Sequence, residues 1–326
     1  MLIALLAIVG GFVLLVWGAD RFVVGASAIA CHLGVSPLII GLTIVAFGTS
    51  APEMIVSAVS SWQGNAGLAF GNAIGSNITN ISLVLGVTAL VVPLKVHSAI
   101  LRRELPILLL IMFFALSLIL DGDMSRGDGL LLICGLALMI YWLVGLGLRS
   151  RQADPMTAEF THEIQPVMSL ARAQLWLFIG LVVLFVSSRI LVWGAVSVAH
   201  TLGVSDLVIG LTIIAVGTSL PELAAAVMSA LRGEPDIAIG NVIGSNMFNL
   251  LGVMAMPGLI APGEMPVAIL SRDYPWMLLL TTALFIMAYG FRGPGMINRM
   301  EGALLLLAYG GYLYVLYEAT SGLSIH

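Results

Sequence analysis

The chain consists of long apolar runs separated by polar breaks. A transmembrane α-helix needs about 20 predominantly apolar residues to cross the hydrocarbon layer of a bilayer. Ten stretches approach or exceed that length, at residues 2–30, 37–62, 66–92, 104–120, 128–148, 174–200, 206–230, 237–260, 274–291 and 301–318. The pattern therefore predicts an all-α integral membrane protein with ten transmembrane helices.

The composition excludes other classes of protein. The 326 residues are 60% hydrophobic and 9% charged, with a mean hydropathy of +1.09, which is too apolar for a soluble globule. The net charge is -4, and the basic pair Arg102 and Arg103 is not large enough to hold a nucleic acid. We therefore expect membrane lipid, and not nucleic acid, around this chain.

The longest polar interval, residues 149–173, divides the chain almost in half. We interpret it as a cytoplasmic linker between a first repeat, residues 1–148, and a second repeat, residues 174–326. Cytoplasmic loops carry an excess of Lys and Arg, and this rule is satisfied when the N-terminus is outside. Both termini are then outside, as are Arg126 and Arg272. The cytoplasmic set is Lys95, Arg102, Arg103, Arg149, Arg151, Arg172, Arg232, Arg292 and Arg299.

The two halves share sequence motifs at a fixed offset of 169 residues. "GTSAPE", ending at Glu53, matches "GTSLPE", ending at Glu222, and "GNAIGSNITN", ending at Asn80, matches "GNVIGSNMFN", ending at Asn249. Each half holds five spans, an odd number, so the second half enters the membrane with opposite polarity. This inverted-topology repeat is typical of secondary transporters, whose substrate site lies near the midplane where the repeats meet.

The first motif places oxygen atoms on one helix face beside a backbone interruption. Thr49, Ser50 and Glu53 share a face because residues three and four apart are neighbours on a helix. Pro52 lacks an N–H group and so interrupts the backbone hydrogen bonds. Pro221 occupies the equivalent position in the second repeat, so we predict that helices 2 and 7 are both broken.

The second motif places a polar stripe on the following span. The stripe is Asn72, Ser76 and Asn80 in one half and Asn241, Ser245 and Asn249 in the other. Together with Glu53 and Glu222 these side chains offer only oxygen ligands, which suits a hard cation such as Ca²⁺. Two carboxylates would neutralise one divalent ion.

Other interpretations of the polar residues remain open. A single buried Glu could be protonated and stabilise a contact between helices. Two symmetric acids, each costing roughly 2–3 kcal/mol to insert into the membrane, instead favour a role in binding a cation. A cation channel is less favoured because no filter motif is present. An intramembrane hydrolase would need a nucleophile with its base, and the sequence shows no such pair, so we expect no enzyme.

Several other residues in the spans have predicted structural roles. We predict small-residue packing at Gly71, Gly75, Gly240 and Gly244, backbone hydrogen bonding by Asn77 and Asn246, and structural charges at Asp20, Arg21 and Arg189.

With these motifs the chain resembles the calcium:cation antiporter superfamily, specifically the bacterial sodium/calcium exchanger branch with its YrbG-like inner-membrane proteins. The resemblance covers nearly the whole chain. It implies alternating-access antiport of Ca²⁺ against Na⁺, with K⁺ as a further candidate ion, across the cell inner membrane. Ca²⁺/H⁺ or monovalent cation/H⁺ antiport is the alternative. It implies no cofactor and small cations as partners, and a monomer without a protein partner is the simplest state.

The resemblance also implies a set of site residues. Glu53 and Glu222 are the central ligands, and with Thr49 and Thr218 they would hold Ca²⁺. The remaining ligands are Ser50, Ser219, Ser76, Asn80, Ser245 and Asn249 through their side chains, and Ala46 and Ala215 through their backbone carbonyls. Related exchangers often have an aspartate where this chain has Asn80 or Asn249. This departure leaves the number of coupled ions and any K⁺ dependence open.

Overall fold

The computed structural model describes residues 1–96, 103–150, 168–204, 209, 212–213, 215–289 and 295–321. Its helices are α1 (Leu2–Leu33), α2 (Pro37–Ile40), α3 (Ala46–Trp62), α4 (Ala66–Thr79), α5 (Leu85–Val91), α6 (Leu105–Ile119), α7 (Arg126–Ser150), α8 (Leu170–Thr201), α9 (Ala215–Thr218), α10 (Leu220–Leu231), α11 (Pro235–Phe248), α12 (Ala255–Ile260), α13 (Tyr274–Ala288) and α14 (Arg299–Ser321). Four π-helical turns, Gly41–Val45, Asn80–Val84, Asn249–Val253 and Ile269–Asp273, join or precede them.

These helices form ten membrane spans, as predicted. Spans 1, 4, 5, 6, 9 and 10 are α1, α6, α7, α8, α13 and α14, whereas spans 2, 3, 7 and 8 are the pairs α2–α3, α4–α5, α9–α10 and α11–α12. Seven spans are long and apolar enough to cross a membrane by themselves, and α6 and α10 are shorter apolar helices. The predicted linker, residues 149–173, lies mostly outside the described residues, because α7 runs to Ser150 and α8 begins at Leu170.

Two short β-ribbons confirm the inverted arrangement of the repeats. The strands are β1 (Leu94–Lys95), β2 (Asp123–Met124), β3 (Gly263–Glu264) and β4 (Met296–Ile297), and β1 pairs with β4 and β2 with β3, both antiparallel. Paired strands must lie on the same side of the membrane. An even number of spans separates the strands of each ribbon, and one span separates β1 from β2. The ribbons therefore tie the two repeats together on opposite sides.

Spans 1 and 6 form a peripheral pair beside the other eight spans. The buried residues of spans 1 and 6 belong to a second apolar cluster and not to the main one. Their apolar windows are 28% and 22% buried, as are those of spans 5 and 10, whereas the window of span 8 is entirely buried. Glycines allow the pair to pack closely, since a Cβ on Gly25 would lie 2.5 Å from the backbone nitrogen of Leu177 and one on Gly180 would overlap the backbone of Phe22. Small residues at such contacts are typical of membrane helix pairs.

The predicted break beside Pro221 in helix 7 is confirmed, whereas helix 2 is irregular upstream of Pro52 and is not broken at that proline. In span 7 the chain turns at Ser219, between α9 and α10, just before Pro221. In span 2 the irregular segment is the π-helical turn Gly41–Val45, and α3 continues through Pro52. A proline removes one backbone donor, which frees the Gly48 carbonyl without ending the helix.

Candidate cation site

The two motif glutamates lie buried near the contact of the two repeats. Glu53 lies in α3 and Glu222 in the first turn of α10, with 3% and 2% of their surfaces exposed. The two helices that carry them, α3 and α10, pack against each other. The inverted repeat therefore brings together two acids that are 169 residues apart in the sequence.

Thr49 connects the two repeats through hydroxyl and amide contacts. Its hydroxyl donates a hydrogen bond to Asn241 Oδ1 at 3.1 Å and lies 3.4 Å from Ser245 Oγ. It also donates to the Ala46 carbonyl at 3.4 Å, so this carbonyl faces the same cluster. Thr49 and Ser245 are fully buried. These contacts hold the "GTSAPE" segment against span 8.

Five buried oxygen atoms around the glutamates have no hydrogen-bond partner among the described residues. They are Ser50 Oγ, Glu53 Oε2, Glu222 Oε2, Asn80 Oδ1 and Asn249 Oδ1. A buried polar atom without a partner is costly, so these oxygens favour the binding of a ligand. Oxygen acceptors without a donor are what a hard cation binds.

Asn80 and Asn249 each begin a π-helical turn. The Asn80 carbonyl accepts from the backbone N–H of Leu85, and the Asn249 carbonyl accepts from Met254 at 2.9 Å, both five residues on. The Asn80 turn packs against α10, which carries Glu222, and the Asn249 turn packs against α3, which carries Glu53. Such turns are frequent at functional sites because they redirect side chains. Each asparagine therefore begins a turn that packs against the helix carrying the glutamate of the other repeat.

The second repeat's copy of the first motif is less enclosed. Thr218 is exposed, whereas its counterpart Thr49 is fully buried. The reason is that α9 ends at Thr218 and the chain turns at Ser219, which is buried. The backbone of Ala215 begins α9, and its side chain lies outside the described part of the chain.

Two of the cavities beside this less enclosed half are lined by polar residues of the motifs. The smaller, about 330 Å³, is lined by Pro52, Glu53, Asn72, Arg189, Gly217 and Thr218 among others. The larger, about 610 Å³, includes Asn72, Ser76 and Arg189 and extends to Pro266 and Ile269, just beyond β3. The two cavities share Asn72, Arg189 and Thr218, so the smaller one, which Glu53 lines, adjoins the larger one, which extends toward the β2–β3 ribbon.

The four motif glycines show the same asymmetry. A Cβ on Gly240 would lie 2.7 Å from the Leu38 carbonyl oxygen, and one on Gly244 would lie 2.6 Å from that of Leu42. The predicted packing surface is confirmed there. A Cβ on Gly71 or Gly75 would meet no described atom within 4 Å, so the same prediction is wrong for the first repeat, where both glycines line the larger cavity.

Among the residues that the structure describes, the side chains of Asn77 and Asn246 make hydrogen bonds with other side chains and not with the backbone, contrary to prediction. Asn77 donates to Met277 Sδ at 3.3 Å, and the Asn246 side-chain oxygen accepts from Asn80 Nδ2 at 3.1 Å. Asn246 therefore orients the predicted ligand Asn80. The backbone contact is made instead by Asn72, which donates to the Glu53 carbonyl at 3.0 Å. The sequence pattern identified Asn72 as part of the polar stripe, but it did not predict that Asn72 would hydrogen-bond the backbone of Glu53.

The charges in span 1 have structural partners, as predicted. Asp20 accepts hydrogen bonds from the Arg232 guanidinium, and Arg21 lies over the rings of Trp17 and Trp176, 4.8 Å from the latter. Arg189 in span 6 differs, because it lines both cavities beside Glu53.

Comparisons with known proteins identify the family. The family model described as sodium/calcium exchanger protein matches residues 3–145 and 173–318. The chain belongs to the sodium/calcium exchanger family. The members of this family are transporters and not enzymes in the catalytic sense.

Relatives of this sodium/calcium exchanger family protein match it along almost all of its length. CaxA of Alkalimonas amylolytica is 48% identical, covering 98% of this chain and 100% of its own. Inner membrane protein YrbG of Escherichia coli K12 is 43% identical, covering 97% and 98%. The structure of the sodium-calcium exchanger NCX_Mj soaked with zero Na⁺ and Ca²⁺ superposes with a TM-score of 0.81 at 32% identity, covering 97% of this chain and 99% of that one.

Proposed function

We propose that this protein is a secondary active antiporter that exchanges Ca²⁺ for Na⁺ at a site centred on Glu53 and Glu222. The observation that carries the proposal is the cluster of unpartnered buried oxygens on Ser50, Glu53, Glu222, Asn80 and Asn249. In the described residues there is no group of three or more His, Cys, Asp or Glu side chains. Two carboxylates with neutral oxygens suit Ca²⁺ or Na⁺ better than a soft transition metal.

The further ligands of the proposal are those implied by the sequence. Thr49, Ser76 and Ser245 supply hydroxyl oxygens, and Ala46 supplies its carbonyl. On the second repeat Thr218, Ser219 and Ala215 complete the set when the exposed half closes around the ion. No cofactor is needed, because the ions themselves are the cargo.

Exchange follows from the charges of the empty site. Either one Ca²⁺ or monovalent ions neutralise Glu53 and Glu222, whereas the empty carrier would have to move two buried carboxylates through a low-dielectric environment. The conformational change therefore occurs mainly with cations bound. The peripheral position of spans 1 and 6 suits their sliding past the ligand-bearing core.

The proposal includes a location and an orientation. YrbG is an inner membrane protein, and we assign this chain to the same membrane as a monomer, with repeats 1–148 and 174–326 joined by a cytoplasmic linker. With both termini outside, the β2–β3 ribbon and the larger cavity face the outside. The described conformation is then the outward-facing one.

The test of the driving ion is a set of gradient experiments on the purified protein in liposomes. We expect Ca²⁺ uptake when Na⁺ is loaded inside and diluted outside, and none with an equal choline gradient. Parallel K⁺ and pH gradients separate the alternatives. Drive by a pH gradient without drive by Na⁺ would replace the proposal by Ca²⁺/H⁺ antiport, and ion flux without any counter-ion requirement would indicate a channel.

Restoring an acid at Asn249 tests the ligand assignment. We expect Asn249→Asp to lower the KM for Ca²⁺ by roughly tenfold, because ligand charge count sets Ca²⁺ affinity in all-oxygen sites. Initial rates of ⁴⁵Ca uptake over a range of Ca²⁺ concentrations measure the change. Asn65→Asp is the matched control, since exposed Asn65 caps α4 by accepting from Leu68 N. Equal KM values for Asn249→Asp and wild type would remove Asn249 from the site.

A further inference from the structure

We propose that Arg189 is an affinity-setting residue of the exchanger, a tethered cation that competes with the transported ion for Glu53 from the smaller cavity. The inference rests on the proposed function, because it assumes that a cation binds at Glu53.

The first argument is the position of Arg189 along its helix. It lies within the 32-residue helix of span 6, away from both ends. An arginine at membrane depth is costly, so such residues face a polar cavity or an opposite charge. Arg189 does both: it is an exposed residue of the helix, and it lines the cavity that Glu53 also lines, so the two opposite charges face the same space.

The second argument is the contrast with the other ionic groups nearby. Asp20, the counterpart of Arg189 in the first repeat, is held by Arg232, and Arg21 is stacked on Trp17 and Trp176. In the larger cavity Arg272 binds Asp273 at 2.7 Å, so those two charges offset each other. The other polar groups facing the smaller cavity, Asn72, Ser188 and Thr218, are neutral.

The third argument is the charge of the site. Glu53 and Glu222 contribute two negative charges, and asparagines occupy positions 80 and 249, so no third acid is added there. Arg189 lowers the net charge from -2 to -1. It therefore disfavours a bound divalent ion, and the repulsion is twice as large for Ca²⁺ as for one Na⁺ because Coulomb energy is proportional to charge.

This charge has a functional consequence. In the conformation whose cavities open toward the β2–β3 ribbon, Arg189 weakens the binding of one Ca²⁺ more than the binding of each single Na⁺. It thereby allows Na⁺ to compete for the site and helps Ca²⁺ to leave on that side. Arg189 thus sets the balance between the two ions without being one of their ligands.

The experiment compares ion binding to the purified full-length protein by titration calorimetry, with Ca²⁺ alone and with Na⁺ as competitor. We expect Arg189→Gln to tighten Ca²⁺ binding by roughly tenfold and Na⁺ binding by a smaller factor. Arg189→Lys keeps the charge and should stay close to wild type. Arg189→Met is a second charge-removing variant with an apolar stem, used where Arg189→Gln fails to fold. Arg21→Gln is the control for loss of a guanidinium in the paired span.

Two results would overturn the inference. One is unchanged Ca²⁺ affinity in the charge-removing variants. The other is an equal fold-change in the affinities for Ca²⁺ and Na⁺, which is the result that a purely structural role of Arg189 would give. Wild-type protein is measured beside them for Ca²⁺ binding and Na⁺-driven uptake. If wild type lacks both, the proposed function fails. If wild type has both and removing Arg189's charge changes nothing, the role of Arg189 alone fails.

Discussion

Glu53→Gln and Glu222→Gln should each lower Na⁺-driven Ca²⁺ uptake by a factor of about 100 or more. Glutamine keeps the shape of the side chain but removes one of the two charges that neutralise Ca²⁺. Breaking a buried ionic pair by removing one partner costs roughly 3–5 kcal/mol, which corresponds to a factor of about 10²–10⁴ in affinity. Initial rates of ⁴⁵Ca uptake into proteoliposomes, normalised to the amount of reconstituted protein, measure this effect.

The matched control for these substitutions is Glu264→Gln. Glu264 is exposed in β3, opposite Asp123 in the β2–β3 ribbon, and lies outside the oxygen cluster. Its substitution removes the same charge from the chain and should leave uptake unchanged. Wild-type rates in Glu53→Gln or Glu222→Gln would show that the two acids are not the cation site.

The span count and the inverted repeat could be predicted from the sequence because they depend on properties that every segment carries by itself. An apolar run of sufficient length has to be a helix in lipid, where each backbone polar group needs a partner. Five such runs per repeat fix the opposite polarity by parity alone. The helical spacing of Thr49, Ser50 and Glu53 likewise places three oxygens together whatever surrounds them.

The asymmetry between the repeats could not be predicted, because the two copies have nearly the same sequence. Pro52 and Pro221 have identical chemistry, yet α3 continues through the first and the chain turns just before the second. Thr49 is buried and Thr218 is exposed for the same reason. A carrier open on one side has to place its two repeats in different environments, and this is a property of the conformation and not of either motif.

The contacts of individual polar side chains could not be predicted from the sequence either. Periodicity assigned Asn246 to the wrong kind of partner, because helical spacing says which face a residue occupies but not which side chain lies opposite. The partner of Asn246 is Asn80, 166 residues away. Arg189 was recognised as a charge within a span, but its neighbour Glu53 belongs to the other repeat.

Gly244→Ala should destabilise the protein, whereas its repeat counterpart Gly75→Ala should not. An added Cβ at position 244 would lie 2.6 Å from both Ala46 Cβ and the Leu42 carbonyl oxygen. The second of these is backbone and cannot rotate away, so overpacking of about 1–3 kcal/mol is expected. At position 75 the same methyl group meets no described atom within 4 Å. Thermal unfolding of the two purified variants in the same detergent measures the difference.

Transport by Gly75→Ala then tests whether the two repeats exchange their packing. Alternating access should make each repeat adopt, in the opposite conformation, the environment that the other repeat has in this one. Position 75 would then be packed against a neighbouring helix as closely as Gly244 is here. We therefore expect Gly75→Ala to fold with wild-type stability and yet transport Ca²⁺ more slowly, with the carrier held in the conformation open toward the β2–β3 ribbon. Stability and transport both equal to wild type would mean that the first repeat never closes over Gly75.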